Sequence, residues 1–328
     1  MSDITMIRAA ADRLKGHARR TPLLSSPFLD EIAGRRVFVK PECLQHTGSF
    51  KYRGGRSALS ALDAETRAKG VLAYSSGNHA QGVAKAAAEY GVPAVIIMPA
   101  DAPKLKIDNT RALGAEVVLY DRENGESREA VGEALKAERG LTLVKPFDEP
   151  LVIAGQGTCG LEIAEQAREE GIETGDVLVC CGGGGFTAGV AMALEADAPG
   201  FRVRPVEPEG FDDVARSLQS GQRESNARAS GNICDAILTP APGEITFPIM
   251  QRLCGPGIAV SEDECLRAMG VAFQRLKLVA EPGGAAALAG ALYHGDEIKG
   301  DAVICTISGG NVDAQVFRRA LATLDDAP

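Results

Sequence analysis

The chain has 328 residues, of which 45% are hydrophobic and 24% charged, a composition typical of a globular protein long enough for two domains. Its 44 acidic and 35 basic side chains give a net charge of −9, which argues against nucleic acid as a partner because phosphate binding needs a basic face. No stretch reaches the roughly 18 apolar residues that span a bilayer, and the first residues do not resemble a secretory signal. We therefore expect a cytoplasmic protein with no membrane partner.

The first half of the chain alternates between strand and helix patterns. Short apolar runs at 71–74, 93–98, 115–120 and 141–144 predict strands, and helix formers between them predict helices at 79–90, 104–113 and 127–139. Two of these helices stop at a glycine, Gly91 and Gly114, which is typical of a helix C-cap. Such alternation predicts a parallel sheet with helices packed on it.

A second alternating series follows. Strands are predicted at 176–181, 201–206 and 302–307, and helices at 163–170, 188–197, 262–277, 285–293 and 315–324. Glycine-rich loops follow several strands, and ligands of open α/β sheets bind at the carboxyl ends of the strands. The eight cysteines contain no CxxC pair, so they predict neither a zinc finger nor a disulfide scaffold.

Four consecutive glycines between a strand and a helix give the strongest local signal for a ligand. They are Gly182, Gly183, Gly184 and Gly185. Glycines allow close approach of the backbone, and its N–H groups together with the following helix N-terminus suit a phosphate. The loop has no Walker lysine, so it does not predict a nucleotide triphosphatase. A flexible turn is the alternative.

Two further loops carry candidate functional residues. Lys51 lies between Phe50 and a stretch rich in cations and glycine, and a partly desolvated lysine beside another cation has the lowered pKa that covalent amine chemistry needs. Residues 75–79, Ser-Ser-Gly-Asn-His, form a polar loop at a strand end. Taken singly, the lysine is also explained as a solvated turn residue, and the loop as an ordinary helix N-cap.

Together these segments resemble one enzyme family. The segments 49–54, 75–82, 182–185, 281–285 and 308–311 occur in the order and spacing of fold-type II pyridoxal-phosphate enzymes, in the branch of threonine/serine dehydratases and serine racemases. The resemblance implies two open, mostly parallel α/β domains, of the tryptophan synthase beta-like type, with the cofactor between them. It places a large discontinuous domain at 1–52 and 149–328, and a small domain at 53–148.

The resemblance also assigns cofactor contacts. Lys51 would join the cofactor covalently and then act as the base at the substrate Cα, while the glycines at 182–185 bind the phosphate. Asn78 would bond the ring 3-hydroxyl, Phe50 would pack on the ring, and Ser308 would face the pyridine nitrogen. A neutral hydroxyl there favours loss of a β-substituent over transamination. Glu281 is implied as the acidic residue near the ring.

The loop 75–79 is implied to hold the substrate. Ser75, Ser76, Gly77, Asn78 and His79 would bind its carboxylate at a helix N-terminus, where donors suit an anion. Ser76 stands where dedicated threonine dehydratases usually carry alanine, and its hydroxyl would serve the face of Cα opposite Lys51. In the predicted helix 127–139, Ala134 occupies the position that we align with a carboxylate-binding arginine of some racemases.

An acidic loop at 207–213 predicts a metal site. Four carboxylates in seven residues suit a hard divalent cation. The resemblance implies Mg²⁺, or Ca²⁺ or Mn²⁺, held by Glu207, Asp213 and the backbone carbonyl of Phe211. A solvated acidic loop is the alternative explanation.

The sequence therefore predicts an ammonia-lyase that uses pyridoxal 5'-phosphate. It would convert L-threonine, L-serine or a related β-hydroxy amino acid to a 2-oxo acid and ammonia by β-elimination, as a homodimer. Serine racemase and 3-hydroxyaspartate dehydratase are the alternatives within the family. A non-catalytic nucleotide-binding module is the alternative outside it, although such a module has no use for Lys51.

Overall fold

The fold is built on two sheets of parallel strands. The computed structural model describes residues 3–75, 77–102, 104–121 and 124–325. Within these ranges the strands are β1 (Leu24–Ser25), β2 (Arg36–Pro41), β3 (Val71–Tyr74), β4 (Ala94–Pro99), β5 (Glu116–Tyr120), β6 (Thr142–Leu143), β7 (Gly175–Cys180), β8 (Phe201–Pro208), β9 (Ile258–Val260) and β10 (Ala302–Ile307).

The larger sheet has the order β1-β2-β10-β7-β8-β9, and the smaller one has the order β5-β4-β3-β6. Neighbouring strands run parallel except for β1 against β2. The central strands of both sheets are buried on both faces, which explains their continuous apolar runs. All strands of the smaller sheet fall within 53–148, but the sheets do not fix the domain boundaries, which stay a prediction.

Helices cover both sheets. In the described ranges they are α1 (Ile4–Leu14), α2 (Pro27–Ala33), α3 (Lys51–Ala61), α4 (Ala64–Lys69), α5 (Asn78–Tyr90), α6 (Lys104–Ala112), α7 (Arg128–Arg139), α8 (Pro150–Glu169), α9 (Gly185–Asp197), α10 (Asp213–Ser220), α11 (Thr246–Leu253), α12 (Glu262–Val271), α13 (Pro282–Tyr293) and α14 (Ala314–Ala322). A π-helical turn, Ala272–Leu276, continues α12. None of the described helices is both long and apolar enough to cross a membrane.

The helices α3, α8 and α9 pack unusually closely because glycines line their contacts. A Cβ on Gly155 would lie 2.5 Å from the carbonyl oxygen of Arg53, and one on Gly157 would lie 2.9 Å from that of Gly189. These glycines weaken the local helix pattern, and the first half of α8 was therefore absent from the sequence prediction. The close contact holds α3, which begins at Lys51, against the larger sheet's helices.

A buried ionic cluster ties α3 to α8 and β2. The cluster consists of Lys40, Glu42, Arg53 and Glu162. Arg53 is 1% exposed and donates to both oxygens of Glu42, at 2.7 and 2.8 Å, and to both oxygens of Glu162, at 2.7 and 2.9 Å. Lys40 donates to Glu162 at 2.6 Å. Burial alone would raise the pKa of Glu42, but the charges of Arg53 and Lys40 bring it below its ordinary value.

Candidate active site

One cavity of about 580 Å³ opens at the carboxyl ends of β3, β7 and β10. It is lined by every described residue that the sequence predicted for the cofactor and substrate. These are Phe50, Lys51, Ser75, Gly77, Asn78, His79, Gly182, Gly183, Gly184, Gly185, Glu281 and Ser308. The residues come from segments up to 258 positions apart, so the fold brings the predicted motifs into one site. Ser76 lies outside the described residues, and the roles of all of these side chains stay predictions.

Lys51 is the first residue of α3, and its amine lies beside the cavity. Its Nζ donates a hydrogen bond to the carbonyl oxygen of Pro146 at 2.8 Å. Burial lowers the pKa of the Lys51 amine to about 8, and the carboxylate of Glu281 partly opposes the shift. A substantial fraction of this amine is therefore neutral near neutral pH, which is the form that attacks an aldehyde or accepts a proton.

Phe50 and Phe186 form a stacked pair behind the lysine. Their ring centroids are 4.2 Å apart with an interplanar angle of 12°, and the Lys51 Nζ lies 5.1 Å from the Phe50 centroid. The pair presents a flat apolar surface at the cavity wall. Such a surface suits an aromatic ring joined to the lysine.

The glycine loop is shaped for a phosphate. The strand β7 ends at Cys180, and α9 begins at Gly185 with Gly184 as its N-cap in a left-handed conformation, φ +91°. A side chain on Gly183 would overlap the ring of Phe147, which packs on the loop. The first N–H groups of a helix have no acceptor within it, so they are available to an anion that the helix dipole also favours.

A chain of amides connects Asn78 with Glu281. The Asn311 side chain donates to Asn78 Oδ1 at 2.7 Å, and Asn78 Nδ2 donates to Glu281 Oε1 at 2.6 Å. This fixes the orientation of the Asn78 amide and leaves one of its N–H groups for a ligand oxygen. Burial raises the pKa of Glu281 to about 7, although the bond from Asn78 lowers it.

The loop after β3 supplies backbone donors next to a neutral histidine. Ser75 Oγ accepts from the N–H of Gly77 at 3.1 Å, and α5 begins at Asn78. His79 Nε2 lies 2.8 Å from the carbonyl oxygen of Val144, so that nitrogen carries the proton. Burial and the charge of Lys51 lower the pKa of His79 to about 3. The side chain is therefore uncharged, and any anion at this loop is held by N–H groups rather than by an imidazolium.

The predicted metal residues are buried and lie between the end of β8, which contains Glu207, and the start of α10 at Asp213. Glu207 is fully buried and accepts from the N–H groups of Val214 and Ala215 at 3.1 and 2.8 Å. Asp213 is also buried, and its Oδ2 has no hydrogen-bond partner within the described ranges. Burial and the charge of Asp213 raise the pKa of Glu207. Two buried carboxylates with an unpartnered oxygen fit a divalent cation, although the described chain holds no group of three or more His, Cys, Asp or Glu ligands.

Three cavity residues were given no role from the sequence. Phe147 follows β6 and packs on the glycine loop, but it belongs to no pattern that marks a site. Asn311 lies in the predicted segment 308–311, and the structure shows that it orients Asn78. Arg128, the first residue of α7, lines the cavity, whereas Ala134 is not among its lining residues. The position that we aligned with the racemase arginine, Ala134, is therefore not at the cavity, whereas Arg128 of the same helix is.

Comparison with known proteins agrees with this site. The family described as "Pyridoxal-phosphate dependent enzyme" matches residues 14–310. L-threo-3-hydroxyaspartate ammonia-lyase from Pseudomonas sp is 42% identical over 95% of this chain and 96% of that protein. Serine racemase from Arabidopsis thaliana is 38% identical over 95% of this chain and 94% of that protein.

Two solved structures show the same architecture. A threonine deaminase from T.th. has a TM-score of 0.88 and 45% identity, covering 95% of this chain and 99% of that one. The serine racemase of maize has a TM-score of 0.89 and 35% identity, covering 99% and 98%. These similarities confirm the fold-type II architecture and the cofactor that the sequence predicted. The chain belongs to the pyridoxal-phosphate dependent enzyme family, in its group of ammonia-lyases and racemases.

Proposed function

We propose that this enzyme is an ammonia-lyase that converts L-threonine, L-serine or a related β-hydroxy amino acid to a 2-oxo acid and ammonia. The observation that carries the proposal is the Lys51 amine, whose pKa is about 8, in one cavity with the glycine loop and Ser308. When bound, pyridoxal phosphate withdraws electrons from the Cα of the attached amino acid. In the net reaction the Cα proton and the β-hydroxyl leave as water, and hydrolysis of the resulting imine by water supplies the carbonyl oxygen and releases ammonia.

Different residues of the site would remove the Cα proton, bind the substrate carboxylate and hold the cofactor ring. The neutral Lys51 amine removes the proton from Cα, because it lies at the cavity wall and burial lowers its pKa to about 8. The N–H groups of 75–79 hold the substrate carboxylate at the start of α5. Ser308 is 4% exposed and would give the pyridine nitrogen a neutral partner, which favours elimination. Asn78, held by Glu281 and Asn311, would bond the ring hydroxyl.

A second candidate substrate, 3-hydroxyaspartate, is favoured by Arg128. This guanidinium lines the cavity at the start of α7 and stands 6.0 Å from the ring of Tyr74. It forms an ion pair with the adjacent Glu129 at the surface, and replacing this exposed contact by one to a substrate costs little free energy. An arginine at this wall suits a second carboxylate on the substrate's β-carbon.

A substrate panel tests both candidates. The kcat/KM values for L-threonine, L-serine and L-threo-3-hydroxyaspartate are compared in wild type, Arg128→Met and the control Arg139→Met, whose surface partner is Glu116. If Arg128 binds a β-carboxylate, its loss lowers kcat/KM for hydroxyaspartate by about tenfold or more and leaves threonine nearly unchanged. Release of no 2-oxo acid from any of the three refutes the lyase proposal, and exchange of L- and D-serine without elimination identifies a racemase.

We also propose that Glu207, Asp213 and the Phe211 carbonyl bind Mg²⁺, Ca²⁺ or Mn²⁺. Chelation should then lower the melting temperature, and added metal should restore it in a concentration-dependent way. Asp213→Asn should abolish the response, while Glu209→Gln, on the same loop, should keep it. A wild-type melting temperature that chelator and metal both leave unchanged contradicts the site.

A homodimer is the proposed assembly, through an apolar surface on the larger domain. Phe28 and Phe273 are 49% and 41% exposed, and the guanidinium of Arg275 lies 4.3 Å from the Phe28 ring. Exposed aromatic and arginine side chains are typical of interfaces. Phe28→Glu should convert a dimer to a monomer in light scattering, whereas Leu119→Glu, on the smaller sheet, should not. A wild-type monomer at micromolar concentration contradicts the proposal.

A further inference from the structure

Thr246 holds the glycine loop through a side-chain hydrogen bond to its backbone. It is the first residue of α11 and is fully buried. Its hydroxyl donates to the carbonyl oxygen of Gly183 at 2.6 Å, and the N–H of Gly243 donates to the same oxygen at 3.1 Å. Two donors from one segment therefore fix the direction of a single carbonyl in the loop.

The direction of that carbonyl determines where the next N–H points. The peptide between Gly183 and Gly184 is planar and trans, so its N–H points away from its C=O. Because the oxygen faces Thr246, the N–H of Gly184 faces the opposite side of the loop. A Cβ on Gly184 would lie 2.9 Å from Thr246 Oγ1, so the close approach of Thr246 also requires glycine here.

Asp148 in turn holds the start of α11 in place. Its Oδ1 accepts from the N–H groups of Ile245 and Thr246, at 2.8 and 3.3 Å, and its Oδ2 accepts from that of Glu244 at 3.1 Å. A carboxylate that accepts several backbone N–H groups is a strong N-terminal anchor. The position of the Thr246 hydroxyl is therefore set by Asp148 and not by α11 alone.

We propose that Thr246, anchored by Asp148, is a positioning residue for the cofactor phosphate. Its hydroxyl turns the Gly183–Gly184 peptide so that the N–H of Gly184 joins those of the first turn of α9 as donors to a phosphate ester. The hydroxyl itself touches neither the cofactor nor the substrate. The proposal rests on the cofactor of the family and is independent of which substrate the enzyme uses.

The test distinguishes the contribution of the phosphate to cofactor affinity from that of the rest of the cofactor. The purified full-length chain, freed of cofactor, is titrated with pyridoxal 5'-phosphate and with pyridoxal, which keeps the aldehyde but lacks the phosphate. Thr246→Val removes the hydroxyl at constant shape. It should weaken pyridoxal phosphate binding about tenfold, the loss expected for one misdirected charge-assisted hydrogen bond, and leave the affinity for pyridoxal unchanged.

Two further variants complete the comparison. Thr246→Ser restores a hydroxyl and should return the affinity for pyridoxal phosphate to within about threefold of wild type. Thr110→Val is the control, because Thr110 is equally buried and its hydroxyl bonds only the Lys106 carbonyl of its own helix. The ³¹P signal of the bound cofactor should shift in Thr246→Val and stay in place in Thr110→Val.

Each outcome decides the proposal. A Thr246→Val protein that binds pyridoxal phosphate as wild type does, or that loses affinity for both ligands equally, overturns it, since the hydroxyl then only satisfies a buried carbonyl. If Thr246→Val fails to fold, Asp148→Asn takes its place. That variant should weaken the binding of pyridoxal phosphate by about threefold relative to pyridoxal, and an equal effect on both ligands overturns the proposal.

Discussion

Replacing Arg53 with methionine should destabilise the enzyme strongly, because it leaves the buried carboxylate of Glu42 without its guanidinium partner. Arg53 is 1% exposed, and Glu42, which accepts two of its hydrogen bonds, is fully buried. Removing one member of such a pair costs about 3–5 kcal/mol, since the remaining charge keeps its desolvation penalty without the compensating attraction. Methionine fills similar space, so a cavity contributes little to the expected loss.

The expected loss is measurable as a melting shift. An unfolding entropy of about 2.1 cal/mol/K per residue gives roughly 0.7 kcal/mol per degree for a chain of 328 residues, so the melting temperature should fall by about 4–7 °C. Circular dichroism at a fixed scan rate, with saturating cofactor in every sample, keeps ligand stabilisation equal between variants.

The difference in melting temperature between wild type and Arg53→Met should depend on pH in one direction. In wild type the charges of Arg53 and Lys40 outweigh burial and lower the pKa of Glu42, so the cluster stabilises the fold above the unfolded pKa and this contribution is lost as the pH falls. In Arg53→Met, burial acts on Glu42 with less opposition and raises its pKa, so protonation relieves the penalty in mild acid. The gap in melting temperature between wild type and variant should therefore narrow from pH 8 to pH 5.

The control is an arginine in an exposed pair. Arg8 bonds Asp197 at 2.7 Å, with 61% and 30% of the two side chains exposed, so Arg8→Met should shift the melting temperature by less than about 1.5 °C. The reasoning is refuted if Arg53→Met melts within the same range as Arg8→Met, or if its deficit grows as the pH falls.

Three further outcomes are expected. Lys51→Ala should lose both turnover and the visible absorbance of the bound cofactor. In wild type the rate of cofactor capture should rise with pH, reach half its plateau near pH 8 and level off above that, because burial lowers the pKa of this amine to about 8; a rate still rising at pH 10 contradicts this. Gly290→Ala should raise the free energy of unfolding by about 0.5–1 kcal/mol, measured by thermal unfolding. Gly290 lies inside α13, and a Cβ there would meet its nearest neighbour at 3.4 Å, an ordinary van der Waals distance. Ser76→Ala should reduce any solvent-deuterium exchange on D-substrates by about 10²–10⁴-fold and elimination of L-substrates much less, whereas equal losses would show that Ser76 only shapes the loop.

The sequence predicted the parts of the fold that local patterns encode. The strand at 71–74 and the strand at 302–307 have the predicted bounds, because a continuous apolar run is both the local signal and the cause of burial. The helix α3 and the first half of α8 were absent from the prediction. The glycines in these helices oppose helix formation locally. They are explained only by the close contact between helices, as at Gly155 and Gly157.

The residues of the candidate site also differ in whether a local sequence pattern predicts them. Lys51 and the glycines at 182–185 were predicted because each lies in a dense local motif, and the cavity brings them together. Phe147 and Thr246 act on the glycine loop from 36 or more positions away in sequence, and no single segment around either residue carries a pattern for that contact. Arg128 was overlooked because the sequence predicts a helix at 127–139 but does not show which of its residues lines a cavity.

Three consecutive residues between β6 and α8 connect the lysine with the phosphate loop. The carbonyl of Pro146 accepts the Lys51 amine's hydrogen bond, the ring of Phe147 packs on Gly183, and the carboxylate of Asp148 holds the start of α11. Three residues span at most about 10 Å, so the lysine contact and the contacts to the phosphate loop are separated by a distance that covalent geometry limits. A cofactor that is attached at both its aldehyde and its phosphate needs these two anchors at a constant separation. A short shared segment provides this more reliably than two anchors on independent loops, because any displacement of the segment moves both.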